Sequence, residues 1–351
     1  MRKICYFGIY DRKYPRNNNI IESLKFAGVE VVEINNTEPG KRKYLDLIKR
    51  FWKVRNEIDL TIIGFPGQLM VPIAKILSRK PVILDLHVSY YDSIILQRLK
   101  HSKFSVYSVF YYLLDFIACH LADAVLMDSN AHSDYIARTF KLNRKKVITV
   151  YTGFDFAKYN IKAEAKNNNE FLISYHGHIQ KINGFELVIE AVKELSDVKV
   201  KVVGLGPEIG RMMELVKEAG LEDRIFFLGA KPFDELLSII SQADLSLGFF
   251  RKNDKVDRVI PNKVYESIAV GLPIITTYSS ACAEIFTDKE HIIYCDANNV
   301  PDLVEKIRWA IDNKAQLEKM STQAYSRLQE ISSPDYLSSN LINNLRTLYE
   351  R

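Results

Sequence analysis

The sequence predicts an α/β protein made of two doubly wound parallel sheets, one following the other along the chain. Three observations carry that prediction. Short apolar runs alternate with amphipathic helical patterns over nearly the whole chain, and repeated βα units of this size pack as a parallel sheet with helices on both faces. A polar stretch, NIKAEAKNNNE at 160–170, interrupts the alternation, which then starts afresh. Finally, 351 residues is the length of two ordinary domains.

In order, KICYFGI (3–9) reads as a buried strand and NNIIESLKFAG (18–28) as a helix stopped at Gly28. VEVVEIN is a strand, 41–55 a basic helix, LTIIGF (60–65) a strand, QLMVPIAKILSR a helix and PVILDLH (81–87) a strand. A long aromatic segment follows, then the strand ADAVLMDS, the helix AHSDYIARTF and the strand KVITVYTG. After the linker, FLISYHG, VKVKVVG, RIFFLG, ADLSLGFF and LPIITT read as strands. GFELVIEAVKEL, EIGRMMELVKEAG, DELLSIISQ and PNKVYESIAVG read as the helices between them. Pro261 suits a first helical turn and Gly271 a C-terminal stop. The expected organisation is a first domain over 1–159, a linker at 160–170 and a second domain over 171–334. A last helix near 335–351 is expected to pack back on the first.

Composition narrows the function classes. No apolar run is long enough to cross a bilayer, and MRKICYFGIY is charged too early for a signal peptide. The four scattered cysteines, Cys5, Cys119, Cys282 and Cys295, form no CxxC pair and suggest reduced thiols and a cytoplasmic setting. Residues 1–160 carry a net charge of +10 and the remainder −5. The aromatic and basic residues of 41–55, and Arg98, Lys100 and Lys103 ahead of the aromatics of 104–112, suggest an anionic membrane surface as a partner. After Tyr111 a buried core helix is the expectation. Nucleic acid is not expected, for want of any reading motif.

Two such domains would present a cleft at the carboxyl ends of their strands, where open α/β sheets bind ligands. In PNKVYESIAVG, Lys263 and Glu266 share one helix face. A cation near a helix N-terminus suits a diphosphate and the carboxylate suits ribose hydroxyls; an ordinary ion pair is the plainer alternative. The small residues from Tyr278 to Ala283, Ser280 and Ala281 among them, would let backbone N–H groups approach a ligand. Gly204 and Gly206 form a GxG that is either a phosphate turn or simply a tight turn. Gly177 and His178 end a strand beside His176, as phosphate contacts or core residues; no carboxylate or thiol cluster suggests a metal. His87 ends another strand and could bond a sugar or developing charge. The loop after the first strand, with Gly8, Arg16, Asn17 and Asn18, is a candidate acceptor lining. GxxxxGK[ST], HExxH, GxSxG and DxD are all missing from the sequence, so phosphate charge would have to be met by cations and helix N-termini.

At these residues the chain resembles glycosyltransferase family 4, of the two-domain GT-B fold. VITVYTGFDFAKY, with Gly153 and Asp155, is similar to the family's V-x-N-G-V-D segment. HGHIQKINGFELVIEA resembles G-R-L-x-x-x-K-G-x-x-x-L-I-x-A, and RIFFLGAKPFDELLSIISQADLSLG resembles V-x-F-L-G…L-x-x-x-Y-x-x-A-D. PNKVYESIAVGLPIITTYSSACAEIF resembles E-A-M-A-x-G-x-P-V-V-A-T…E-I. Glu266 matches the second Glu of E-x7-E in a P-N-K-x-x-E variant, while Arg258 stands at the first. His178 and Asn183 stand where the family carries Arg and Lys.

The resemblance implies metal-independent, retaining transfer from a nucleotide sugar to a saccharide or lipid-linked acceptor, with no cofactor. It implies His87, Glu266, Lys263 and Arg258 as the catalytic set. The donor would lie on Gly177, His178, Gly204, Gly206, Lys263, Glu266, Ser280 and Ala281. The lost cations keep two rivals open, a nucleotide-sugar epimerase and a catalytically silent binding partner.

Overall fold

A computed structural model describes residues 2–97, 102, 104–154, 156 and 170–349. Asp155, Arg98, Lys100, Lys103 and the linker residues 160–169 lie outside them. Contacts divide the chain into two compact units, one of residues 1–152 with 332–351 and one of residues 153–331.

The first unit contains β1 (Lys3–Gly8), α1 (Pro15–Phe26), β2 (Glu30–Asn35), α2 (Arg42–Val54), β3 (Leu60–Ile63) and α3 (Met70–Leu77). It continues through β4 (Val82–Asp85), a π-helical segment at Tyr91–Gln97, α4 (Val106–Leu121), β5 (Ala124–Met127), α5 (Asn130–Thr139) and β6 (Val147–Thr149). The strands form one parallel sheet in the order β2-β1-β3-β4-β5-β6. LTII, VILD and AVLM are buried at every position, because a parallel sheet has helices on both faces. Cys5 and Phe7 point to the face covered by α2, α3, α4 and α5. Ile4 and Tyr6 point to the other, where α1 packs. Helix α1 starts at Pro15, three residues before the sequence pattern begins, because proline is preorganised for a first turn.

The second unit contains β7 (Phe171–His176), α6 (Phe185–Lys193), β8 (Val198–Val203), α7 (Ile209–Glu218), β9 (Ile225–Phe227), α8 (Phe233–Ser241) and β10 (Leu245–Leu247). Then come α9 (Asp254–Arg258), α10 (Asn262–Ala269), β11 (Ile274–Thr277), α11 (Ser280–Ala283), β12 (Ile293–Cys295), α12 (Val300–Asp312) and α13 (Lys314–Ser332). Its parallel sheet runs β12-β11-β10-β7-β8-β9. Ile173 and Tyr175 pack with Phe185, Val188, Val200 and Ile307 in its core. The last helix, α14 (Pro334–Tyr349), lies on α1, its Leu341 and Leu345 fully buried against Ile21 and Leu24.

In each sheet the strand order reverses beside the first strand of the unit, between β1 and β3 and between β7 and β10. The crevices at the carboxyl ends of those strands are where such sheets take ligands.

One expectation is corrected here. Helix α4 is not wrapped by the core past Tyr111: Leu113, Ile117 and Leu121 are exposed. Only one face, with Ser108, Asp115, Ala118 and Cys119, is buried.

The first unit also buries a complete ion pair. Arg16, in the first turn of α1, donates to Asp85 at the end of β4 over 3.0 and 3.1 Å, and to the Val150 carbonyl. Both side chains are shielded from solvent. Removing one partner leaves an uncompensated buried charge. Asp85→Ala should therefore cost the first unit about 3–5 kcal/mol, while Arg16→Met with Asp85→Leu should cost less than either single change. Each unit holds one tryptophan, Trp52 or Trp309, so urea unfolding of a Trp309→Phe background, followed at Trp52, measures the first unit alone. A double variant as unstable as Asp85→Ala would contradict the assignment.

Candidate functional site

The second unit's site is built on α10. Pro261 enters in extended conformation and forces the turn, so the helix begins at once and Lys263 and Glu266 fall on consecutive turns of one face. First-turn N–H groups carry no intrahelical partner and give this end positive character. Lys263 is only 6% exposed. Among the described residues its Nζ has no hydrogen-bond partner. It sits 3.7 Å from the Tyr175 ring centre and 5.0 Å from that of Phe249, contacts with the negative faces of aromatic rings. Burial pulls the Lys263 ammonium down to about 7, against the opposing pull of Glu266.

Glu266 Oε2 is 3.1 Å from His176 Nε2 at the end of β7. Burial lowers the imidazole's proton affinity, only partly offset by Glu266, so the ring is neutral near pH 7. A neutral ring facing a carboxylate must carry its proton on Nε2. Gly177 brings the same strand end to Lys263: a Cβ there would lie 3.8 Å from Lys263 Cε.

In the first unit, His87 follows β4 with φ of 47°, a left-handed conformation costly for a residue of its bulk. Its Nε2 is 3.2 Å from the Tyr14 hydroxyl, and its ring meets Phe65 edge-on at 5.0 Å. Its Nδ1 lies 3.8 Å from Asp128 Oδ2, beyond hydrogen-bond reach. Burial depresses His87 to about 4, so it is a neutral hydrogen-bonding group. Burial works against ionisation of Asp128, but His132, at 2.7 Å, together with His87 and Arg16 holds that carboxyl well below the usual range.

Residues 157–327 match the family described as glycosyl transferases group 1. That match falls on the second unit. Among curated proteins, N-acetyl-alpha-D-glucosaminyl L-malate synthase of Bacillus anthracis is 22% identical over 215 residues, covering 58% of this chain and 54% of that one. A Campylobacter jejuni enzyme is 23% identical over 215 residues, covering 58% and 56%. It is named N-acetylgalactosamine-N,N'-diacetylbacillosaminyl-diphospho-undecaprenol 4-alpha-N-acetylgalactosaminyltransferase. The chain thus spans about half the length of the curated relatives it matches. The crystal structure of Anabaena Alr3699/HepE in complex with UDP has the same fold, with a TM-score of 0.72 at 15% identity over 99% of this chain and 100% of that one. That fold is GT-B.

Within the second unit the structure brings Lys263, Glu266, Gly177 and His176 together. Arg258 is buried at the end of α9. Five other donor-side residues have surroundings the sequence did not suggest. His178 is exposed, while His176 one pleat earlier turns inward to Glu266. Gly204 and Gly206 let the loops after β7 and β8 touch: a Cβ on either would collide with the Gly177 or Ile179 carbonyl. The Gly204 N–H donates to Gly229 at 2.8 Å, so this GxG is a packing turn. The segment at Ser280 is the short helix α11, not an open loop. Ser280 gives both its N–H and its hydroxyl to Asp257 at 2.9 Å, and Ala281 is fully buried.

Two acceptor-side expectations are corrected as well. Arg16 is committed to Asp85. Asn17 is buried, accepting from the Tyr6 hydroxyl at 2.9 Å and donating to the Phe65 carbonyl at 2.8 Å. Asn18 accepts from Arg12 at 2.6 Å, and Gly8 ends β1.

Sequence reading did not single out Tyr175 and Phe249, which underlie the lysine, or Asp128 and Tyr14 beside His87. Alternation along FLISYH places Ser174 and His176 on one face and Tyr175 on the other, a signal available in advance.

A buried ammonium lacking hydrogen bonds is a liability to the empty protein. Lys263→Met should raise the melting temperature of the ligand-free chain, removing a desolvation cost of about 1–3 kcal/mol. With the folded lysine at about 7 and the unfolded one at the ordinary value, the unfolded chain binds more protons between them. Wild-type stability should therefore gain from Lys263 as pH rises above 7, and the Met variant should lack that component. Calorimetric melts over that pH window check both; a Met variant of lower stability would show that Lys263 supports the empty fold.

Proposed function

We propose that this chain transfers a sugar from a nucleotide sugar to a saccharide or lipid-linked acceptor in the synthesis of a cell-surface polysaccharide or glycoconjugate, with retention and without a metal. The observation that carries the reading is the Lys263 ammonium, buried and, among the described residues, without a hydrogen bond at the N-terminus of α10. A diphosphate supplies what that ammonium lacks, and the helix N-terminus adds to the attraction. Glu266, oriented by His176, keeps lone pairs for ribose hydroxyls. The leaving diphosphate is stabilised as charge builds on it, by groups fixed before the reaction. Lys263 and the helix end take the part a metal would otherwise play.

His87 is neutral, so it serves as a hydrogen-bond partner to the transferring sugar rather than as a cation. Its strained backbone is held by the neighbouring structure, which aims the imidazole in advance. UDP, the nucleotide seen in the Anabaena neighbour, is the first donor nucleotide to try. The curated relatives named above are N-acetylhexosaminyl enzymes by name, which supports a UDP-N-acetylhexosamine as the first complete donor.

A metal-free thermal-shift and calorimetric panel of UDP, GDP and ADP tests the donor site. One nucleotide should stabilise the chain, by about 2.7 kcal/mol at a hundredfold excess over its Kd. Its affinity should weaken as pH rises from 7, because phosphate prefers the charged lysine. Glu266→Gln should weaken nucleotide binding about tenfold or more. His87→Asn, which tolerates the left-handed backbone, should lower transfer about 100-fold and leave nucleotide affinity unchanged. Silence across the whole panel would overturn the reading.

A further inference from the structure

We propose that Asp128 is a positioning residue for His87: it keeps the ring's proton on Nδ1, so that Nε2 accepts, rather than donates, the hydrogen bond to the transferring sugar. The sheet register brings the two residues together. Strands β4 and β5 run parallel with Asp85 paired to Leu126, so His87 and Asp128, each two positions further on, leave their strand ends side by side. The Leu86 and His87 N–H groups both donate to the Leu126 carbonyl, at 3.2 and 3.4 Å, and hold the end of β4 against β5. The carboxylate is itself fixed before any ligand arrives. Ser129 caps α5 by accepting from the His132 N–H at 3.0 Å, which sets His132 one turn on from Asp128. The Nδ1 atom of the buried His132 lies 2.7 Å from Asp128 Oδ1. With that oxygen engaged, Oδ2 is the one nearest His87, 3.8 Å from its Nδ1.

Among the described residues Nδ1 of His87 has no hydrogen-bond partner. A separation of 3.8 Å is too long for a hydrogen bond, yet away from water it still decides between the two neutral forms of the ring. One form turns an N–H toward the anion, and the other turns a lone pair, which the anion repels. Against the cost of burial, His132, His87 and Arg16 hold the carboxyl ionised. The other nitrogen agrees. Nε2 lies 3.2 Å from the Tyr14 hydroxyl, and burial raises that phenol above its ordinary value, so it keeps its proton and donates it. Tyr14 thus occupies the acceptor that a sugar hydroxyl takes over. The site favours a sugar with a free hydroxyl at that position, because one lacking it leaves the Nε2 lone pair unmatched. The substrate in this inference rests on the sugar-transfer reading; the place of the proton on the ring does not.

Long-range proton–nitrogen correlation spectra of the full chain, carrying isotope-labelled histidine and no ligand, read the tautomer directly. The His87 signals are those lost in His87→Asn. At neutral pH the wild type should show a pyrrole-type Nδ1 and a pyridine-type Nε2. Asp128→Asn should mix the two tautomers, while Tyr14→Phe should leave the wild-type pattern in place. With a UDP-N-acetylhexosamine as donor, Asp128→Asn should also lower kcat about 100-fold at unchanged UDP affinity. A pyridine-type Nδ1 in the wild type overturns the proposal with no variant needed. So does an unchanged tautomer or an unchanged kcat in a folded Asp128→Asn, or a tautomer that follows Tyr14→Phe instead. Silence across the nucleotide panel overturns the sugar-transfer reading, whereas the spectra are taken on the empty protein and fail separately.

Discussion

The second unit is organised around a positive charge that it does not neutralise. The core sets Lys263 against the faces of two aromatic rings and leaves its ammonium without a hydrogen bond. Burying charge in that way costs free energy, and pairing it inside the protein would be the ordinary remedy. Glu266 lies one turn along and lifts the lysine's proton affinity only in part, because one of its oxygens is drawn to His176. His176 thereby engages the carboxylate that lies one turn from the lysine. The GxG turn belongs to the same arrangement. Gly204 and Gly206 press against the Gly177 and Ile179 backbone, which fixes the strand end from which His176 projects.

The first unit treats its charges the other way. Arg16 and Asp85 satisfy each other in full burial, and Asp128 is held ionised by the groups around it. That leaves His87 as a neutral ring in a strained backbone, with aromatic side chains on its flanks. Fixed charges close by orient an uncharged group, where in the second unit uncharged rings surround a charge. Asp115 ties the inner face of α4 to the segment that follows His87, through Ser89 and Tyr91.

Most of the strand and helix order was legible in the sequence because fully buried parallel strands are continuous apolar runs and the longer helices have clear punctuation, as at Pro261 and Gly271; the short elements β12, α9 and α11 carry too few residues to show a period. Lys263 and Glu266 were legible as a pair on one helical face. Their surroundings were not, since Tyr175 and Phe249 come from β7 and from the loop after β10, and only the sheet's register sets them beside α10. Arg16 and Asn17 failed for a related reason. Polar residues in a loop after a first strand suggest a binding surface, and nothing local shows that Asp85, some seventy residues on, consumes the guanidinium. Ser280 likewise looks like an open small-residue loop until Asp257 is seen to claim its N–H.

Helix α4 shows the limit of reading burial from composition. VYSVFYYLLDFIACHL is apolar almost all round, which in a water-soluble setting signals a buried helix. Yet a helix on the outer layer of a two-faced sheet has only one side to bury, and small or polar residues occupy that side here: Ser108, Asp115, Ala118 and Cys119. Tyr112 and Phe116 are half-buried and pack at the edge of that side, while Phe110, Leu113 and Ile117 stand on the far one. Stability alone selects only the inner face. Phe110, Leu113 and Ile117 lie outside the two buried clusters of the first unit, so packing against the sheet does not select them.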